Sequence, residues 1–154
     1  MAIRNIVKKG DEILGKKSKQ VTAFDDRLHM LLDDMRDTLK QANGLGLAAV
    51  QVGVLKRLFI MDLQENGGIV EVINPQIIKQ EGEQQGHEGC LSFPGYIGDL
   101  VRPMKVVVRA QDRHGNEFDI EGQEVVARCL CHEYDHLDGV LYSEKAENVR
   151  PVEA

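Results

Sequence analysis

Between residues 24 and 42 the chain reads FDDRLHMLLDDMRDTLKQA, which sets Leu28, Leu31, Leu32, Met35 and Leu39 on one helical face and fills the other with charged side chains. This spacing predicts an amphipathic helix, opened by Thr22 or Asp25 as cap and closed near Asn43-Gly44. His29 and Met30 lie on it with no His or Cys one turn away and read as packing or surface residues. After it the pattern changes. RLFIMDL, residues 57 to 63, is a β-type run, Asn66-Gly67-Gly68 signals a turn, and IVEVINP reads as a strand that stops at Pro75.

Residues 76 to 87 can continue as a further strand, whereas EGCLSFPGY, from Glu88 to Tyr96, is rich in Gly and Pro and reads as a loop or bulged strand. KVVVRAQD and EFDIEGQ flank Arg113-His114-Gly115-Asn116 and predict a hairpin with His114 exposed at its tip. Helical spacing returns after Gly122 and runs through Leu137, where Asp138-Gly139 supplies a stop. The order is helix, several short antiparallel strands, helix. That predicts an α+β fold in which short antiparallel strands pack around the C-terminal helix, with the amphipathic helix as an N-terminal addition.

With 154 residues, no linker and no repeat, the chain is expected to be a single catalytic domain spanning 1–154. Hydrophobic residues at 42% and charged residues at 29% fit a globular protein. No stretch approaches the ~20 apolar residues of a membrane span, and the start MAIRNIVKKGDEILG lacks the apolar run of a secretory signal, so a cytoplasmic protein without membrane contact is expected. A net charge of -6 argues against direct nucleic-acid binding, and the lysines at 8, 9, 16, 17 and 19 read as a solvated loop. Cys90, Cys129 and Cys131 are an odd number, which favours reduced thiols or metal ligands over disulfides.

The chemistry concentrates in RCLCHEYDHLDG, residues 128 to 139. Histidines at i and i+4 share a helix face, so His132 and His136 can converge on one cation with Glu133 beside them. The same face carries Val125 and, nearby, Cys129, while Ala127, Leu130, Cys131 and Tyr134 point elsewhere. At ~1.5 Å rise per residue, Cys129 starts ~4.5 Å below His132 along the axis and reads as pocket wall, with ligation as the alternative. Cys90 in EGCLS is the best third ligand, because Gly89 permits close backbone approach and a thiolate suits zinc, iron or cobalt. Two imidazoles and one thiolate leave a position open for water, as at a catalytic metal, and Glu133 is then placed as general base. In GLGLAAVQ, residues 44 to 51, glycines allow backbone to approach a ligand, and Gln51 offers an amide donor to an oxyanion.

Taken together, GLGLAAVQ at 44–51, EGCLS at 88–92 and HEYDH at 132–136 resemble, in order and separation, the three signature motifs of peptide deformylases. The likeness runs from KKGDEIL to LDGVLY, and SFP after Cys90 with no large insertion is similar to the compact bacterial subgroup. It implies hydrolysis of the N-formyl group from the N-terminal formyl-methionine of nascent polypeptides, releasing formate, with a water at the metal as nucleophile. It also implies Cys90, His132 and His136 as metal ligands, Glu133 as general base and acid, and the Gln51 side chain and Leu91 N–H as oxyanion donors. Backbone around Gly44, Leu45 and Gly46 would hold the extended substrate, and Leu45, Val125 and Cys129 would line the methionine pocket. Glu88 would pair with Arg102. The metal implied is one divalent ion, Fe(2+) in the cell, with Ni(2+), Co(2+) or Zn(2+) able to substitute.

Two features depart from the family. Cys131 stands where glutamine is common, and the 18 residues after His136 are fewer than the extension some members use at the ribosome, which leaves transient ribosome association as the expectation. A zinc endopeptidase built on the same helix would instead need a ligand downstream, from Glu144, Glu147 or Glu153. A non-enzymatic metal-binding domain is the other rival, against which every catalytic position is intact.

Overall fold

The computed structural model describes residues 2–63 and 68–152, so Asn66-Gly67 of the expected turn lie outside the described residues. Helix α1 (Asp26–Ala42) starts where the Asp25 carboxylate accepts the Leu28 N–H and ends at Asn43 in the left-handed region, φ 58°. Of the two expected caps, Asp25 is therefore the one used.

Strands β1 (Gly46–Ala48), β2 (Leu58–Asp62), β3 (Ile69–Glu81), β6 (Lys105–Gln111) and β7 (Glu117–Gln123) form an antiparallel sheet in the order β1-β2-β3-β6-β7. Strands β4 (Gln84–Cys90), β5 (Phe93–Arg102) and β8 (Glu147–Pro151) form a second sheet, ordered β4-β5-β8. Helix α2 (Val125–Leu137) packs on the larger sheet and turns its other flank to β4 and β5.

The larger sheet is covered on both faces, which explains the unbroken apolar run of β2. Leu58 and Ile60 pack with Leu28, Leu32 and Met35 of α1, while Phe59 and Met61 pack with Ala127, Leu130 and Leu137 of α2. Cys131 joins this second core, off the histidine face of α2. The helix stops at Gly139 (φ 77°), where a Cβ would meet the Gly15 carbonyl oxygen at 2.6 Å.

One expectation needs correction. The stop at Pro75 does not occur. Asn74 takes a positive φ of 51°, its side chain accepts from Val21 N–H and donates to Val21 O and Gln111 Oε1, and a register shift carries β3 past the proline. Of the two alternatives for the segment 88 to 96, loop or bulged strand, the structure takes the bulged strand. The segment is the end of β4, a tight turn at Leu91-Ser92 and the start of β5, with a bulge between Glu88 and Cys90.

Glu71 on β3 ties the layers together. Its buried carboxylate accepts from Arg36 of α1 at 2.7 Å and from Arg113 of the β6–β7 hairpin at 2.9 and 2.6 Å, and Arg113 also donates to Asp33. Burial alone would raise its pKa, but these donors hold it below the ordinary 4.5. A depressed carboxyl stabilises the fold above its unfolded pKa and loses that contribution as pH falls below 4.5. Glu71→Gln should therefore cost about 2 kcal/mol near neutral pH and flatten the acid limb of the stability curve, as read by urea unfolding across pH.

Candidate active site

Three segments distant in sequence meet beside α2. Sγ of Cys90 lies 3.3 Å from His136 Nε2, and the ligand atoms of Cys90, His132 and His136 are all within 4.8 Å of one another. Donors this close together could be held by one metal ion, with Cys90, His132 and His136 as the residues that would bind it. His132 donates through Nδ1 to Glu88 Oε1 at 2.8 Å, which fixes its tautomer and leaves Nε2 for the cluster. Glu88 is clasped in turn by Arg102, Nε to Oε2 at 2.8 Å and Nη2 to Oε1 at 3.0 Å, while Arg102 Nη1 donates to Asp135 at 2.7 Å.

The electrostatics suit a cation. Burial opposes charge on both histidines, yet Cys90, Glu88 and Glu133 lift the His132 pKa to about 10, so the surroundings draw a proton that a metal ion would replace. His136 is pushed down to about 3, first by burial and then by the charges of His132 and Arg102, which keeps it in the neutral form that could bind a metal. Although burial works against the Glu88 charge, donation from His132 and Arg102 holds its pKa at about 2. Residues and charge balance therefore fit a divalent metal.

Glu133 is the opposite case. Its side chain is buried, Oε1 has no hydrogen-bond partner among the described residues, and burial followed by the Glu88 charge raises its pKa to about 7. Such a group exchanges a proton near neutral pH. Gln51 sits on the 3-10 turn Ala49–Val52. Its Oε1 accepts the Ala48 N–H at 2.9 Å, which forces Nε2 toward Cys90 Sγ (3.5 Å) and Ser92 Oγ (3.0 Å).

A cavity of about 650 Å³ opens onto this cluster. Gly44, Leu45, Gly46, Gln51, Cys90, Leu91, Val125, Cys129, His132 and Glu133 all line it, and only His136 among the expected site residues lies beneath its wall, fully buried. Burial, then the nearby carboxylates, raises the Cys129 thiol well above its usual pKa, which keeps it protonated and apolar as pocket wall. A larger groove of about 910 Å³ lies beyond Arg102 and Asp135 but contains none of the three clustered donors. Glu144 caps the Leu141 N–H and Glu147 is exposed on β8, so neither serves the downstream-ligand arrangement of an endopeptidase; Glu153 lies outside the described residues.

Sequence reasoning missed Ser92, which orients Gln51, and Arg128, whose Nη1 donates to Glu88 Oε2 at 2.8 Å. It also missed why residue 46 is glycine. A Cβ there would stand 2.6 Å from Glu133 Oε2 and 3.0 Å from Cys129 Sγ.

A family model described as polypeptide deformylase matches residues 3–152. The peptide deformylase of Acetivibrio thermocellus is 54% identical over 145 residues, 94% of this chain and 84% of that protein; that of Caldicellulosiruptor bescii is 56% identical over 94% of this chain and 86% of its own length. Among solved structures, a peptide deformylase from Legionella pneumophila superposes with a TM-score of 0.92 at 42% identity, covering 96% of this chain and 88% of that one. The Ehrlichia chaffeensis enzyme in complex with actinonin gives 0.91 at 39% identity, covering 96% and 91%.

Gly46→Ala should displace the Glu133 carboxylate and lower stability by about 1–3 kcal/mol through overpacking. Thermal unfolding and a crystal structure of the variant check both, and an unmoved Glu133 at full stability would contradict the steric account.

Proposed function

Since the chain belongs to the polypeptide deformylase family, a family of metallohydrolases, we propose that it removes the formyl group from the N-terminal formyl-methionine of nascent polypeptides through the cluster at Cys90, His132 and His136. The observation that carries this reading is the cluster of these three donors beside a cavity that Cys90, His132 and the buried Glu133 line, with Glu133 Oε1 lacking a hydrogen-bond partner among the described residues. When bound, one divalent ion there would supply Lewis acidity and lower the pKa of water. Ferrous iron is the ion proposed for the cell, with nickel, cobalt or zinc as substitutes that the same imidazole and thiolate donors accept.

The chain's own residues account for the rest. Glu133, with its pKa near neutrality, takes a proton from the attacking water and delivers it to the departing amine. A C–O bond forms at the formyl carbon, the C–N bond breaks, and formate and a free methionine amine result. Gln51 Nε2 and the Leu91 N–H, at the turn after Cys90, donate to the carbonyl oxygen as it gains charge. Strand β1 is the edge of its sheet and Gly44 and Leu45 lead into it, so the backbone from Gly44 to Gly46 is placed to hold an extended peptide. Leu45, Val125 and Cys129 receive the methionine side chain. No helix among the described residues is long and apolar enough to cross a membrane. We place the reaction in the cytoplasm, in transient contact with the ribosome as chains emerge.

Anaerobic, iron- or nickel-loaded protein should release formate from a formyl-Met peptide. Glu133→Gln at equal metal content should lose at least about a hundredfold in kcat, and Gln51→Leu about 10²–10³-fold. No formate from the fully metallated protein would sink the proposal.

A further inference from the structure

Glu88 is saturated. Oε1 accepts from His132 Nδ1 and Arg102 Nη2, and Oε2 accepts from Arg102 Nε and Arg128 Nη1, so four donors occupy the roughly four acceptor sites of a carboxylate. The two arginines are not equivalent. Arg102 is shared, because its Nη1 serves Asp135, which also takes Lys145. Arg128 has Glu88 as its one carboxylate partner among the described residues, and its remaining bonds go to backbone, Leu100 O at 3.1 Å and Gln84 O at 3.4 Å.

Arg128 stands one helical turn before His132, so a single stretch of α2 presents both the imidazole and the cation that restrains its acceptor. The opposing strand makes room for it: a Cβ at Gly86 would stand 3.0 Å from Arg128 Nη2. The Arg128 side chain is 11% exposed, against 4% for Glu88, so water screens the pair little.

We propose that Arg128 is a positioning residue of the metal centre, holding Glu88 in the orientation in which Glu88 fixes His132. The inference rests on the metal-site reading above and adds a residue to it. When His132 is neutral, as ligation requires, the cations that Glu88 faces among the described residues are Arg102 and Arg128. The charge of Arg102 is then divided between Glu88 and Asp135, and Arg128 supplies the remainder.

The sign of the effect separates this role from simple electrostatics. Removing a nearby positive charge would by itself make a dication bind more tightly. Loss of positioning makes it bind more weakly.

The experiment is Co(2+) binding to the full chain, by competition with a chelator, alongside thermal unfolding of the metal-free protein. Arg128→Leu should bind Co(2+) about tenfold more weakly, the lower end of the range for outer-shell changes. Arg128→Lys, which keeps the charge and one donor, should recover most of the loss. In a Glu88→Gln background the leucine substitution should add little, because the carboxylate through which Arg128 acts is gone. If Arg128→Leu does not fold, Arg128→Gln serves in the same comparison with the same expected direction. Equal or tighter Co(2+) binding by the folded variant, or a full additional loss in the Glu88→Gln background, would overturn the role of Arg128. Failure of the unsubstituted protein to take up one Co(2+) dependent on Cys90 would instead overturn the metal-site reading itself.

Discussion

Much of the site depends on one buried carboxylate. An ionised glutamate out of water is unfavourable by several kcal/mol unless its acceptor sites are filled. At Glu88 they are filled by groups from two places, β5 through Arg102 and α2 through Arg128 and His132. Satisfying the charge therefore joins the smaller sheet to the helix. Cys90 follows Glu88 by two residues on β4, so the same attachment that quiets the carboxylate brings the thiol to the histidines.

The larger sheet supplies the second constraint. Its α2 face is paved by Phe59, Met61, Val72, Val106 and Val108, and Ala127, Leu130, Cys131 and Leu137 lie down on it. With these positions buried, the helix has one rotational setting, and His132, Glu133 and His136 face away from that apolar floor toward β1 and β4. Edge strand β1 passes close enough that only glycine fits at residue 46 beside Glu133. The Glu133 carboxylate is thus confined by backbone on one side and by its own helix on the other.

This division explains what was legible in the sequence. Helix α1, the β6–β7 hairpin and the histidine face of α2 are written in local periodicity, and the structure has them where periodicity places them. The α+β class follows from the same patterns. Features that depend on distant partners were not legible. Proline at residue 75 signals a lost donor, but a left-handed Asn74 and a register shift allow the strand to resume, and their support comes from Val21 and Gln111. For the segment 88 to 96 composition left loop and bulged strand open, and the pairing of β4 with β5 decides for the strand. Arg128 reads as an ordinary helix arginine until Glu88, 40 residues away in sequence, is seen to accept from it. Gly46 reads as room for backbone to approach a ligand, whereas the atoms a Cβ would meet there are Glu133 Oε2 and Cys129 Sγ of the protein itself.

The two glutamates of the site show how far surroundings outweigh residue type. Both are buried, both lie beside His132, and burial raises the pKa of each. Glu88 ends at about 2 because donors converge on both its oxygens, while Glu133 ends at about 7 with Oε1 unbonded among the described residues. The first is fixed as an anion and can only orient; the second can exist with or without its proton near neutral pH and can exchange it. Part of the contrast is direct, since the permanent Glu88 charge is itself one of the causes that raise Glu133. The arginines that stabilise Glu88 therefore act on the proposed base in two opposed ways: they keep its acidic neighbour ionised, which raises the Glu133 pKa, and the charge of Arg102 lowers it again. The Glu133 pKa is thus a balance in which burial weighs most, the charges of His132 and Arg102 pull down and that of Glu88 pushes up, so it belongs to the surroundings rather than to Glu133 alone.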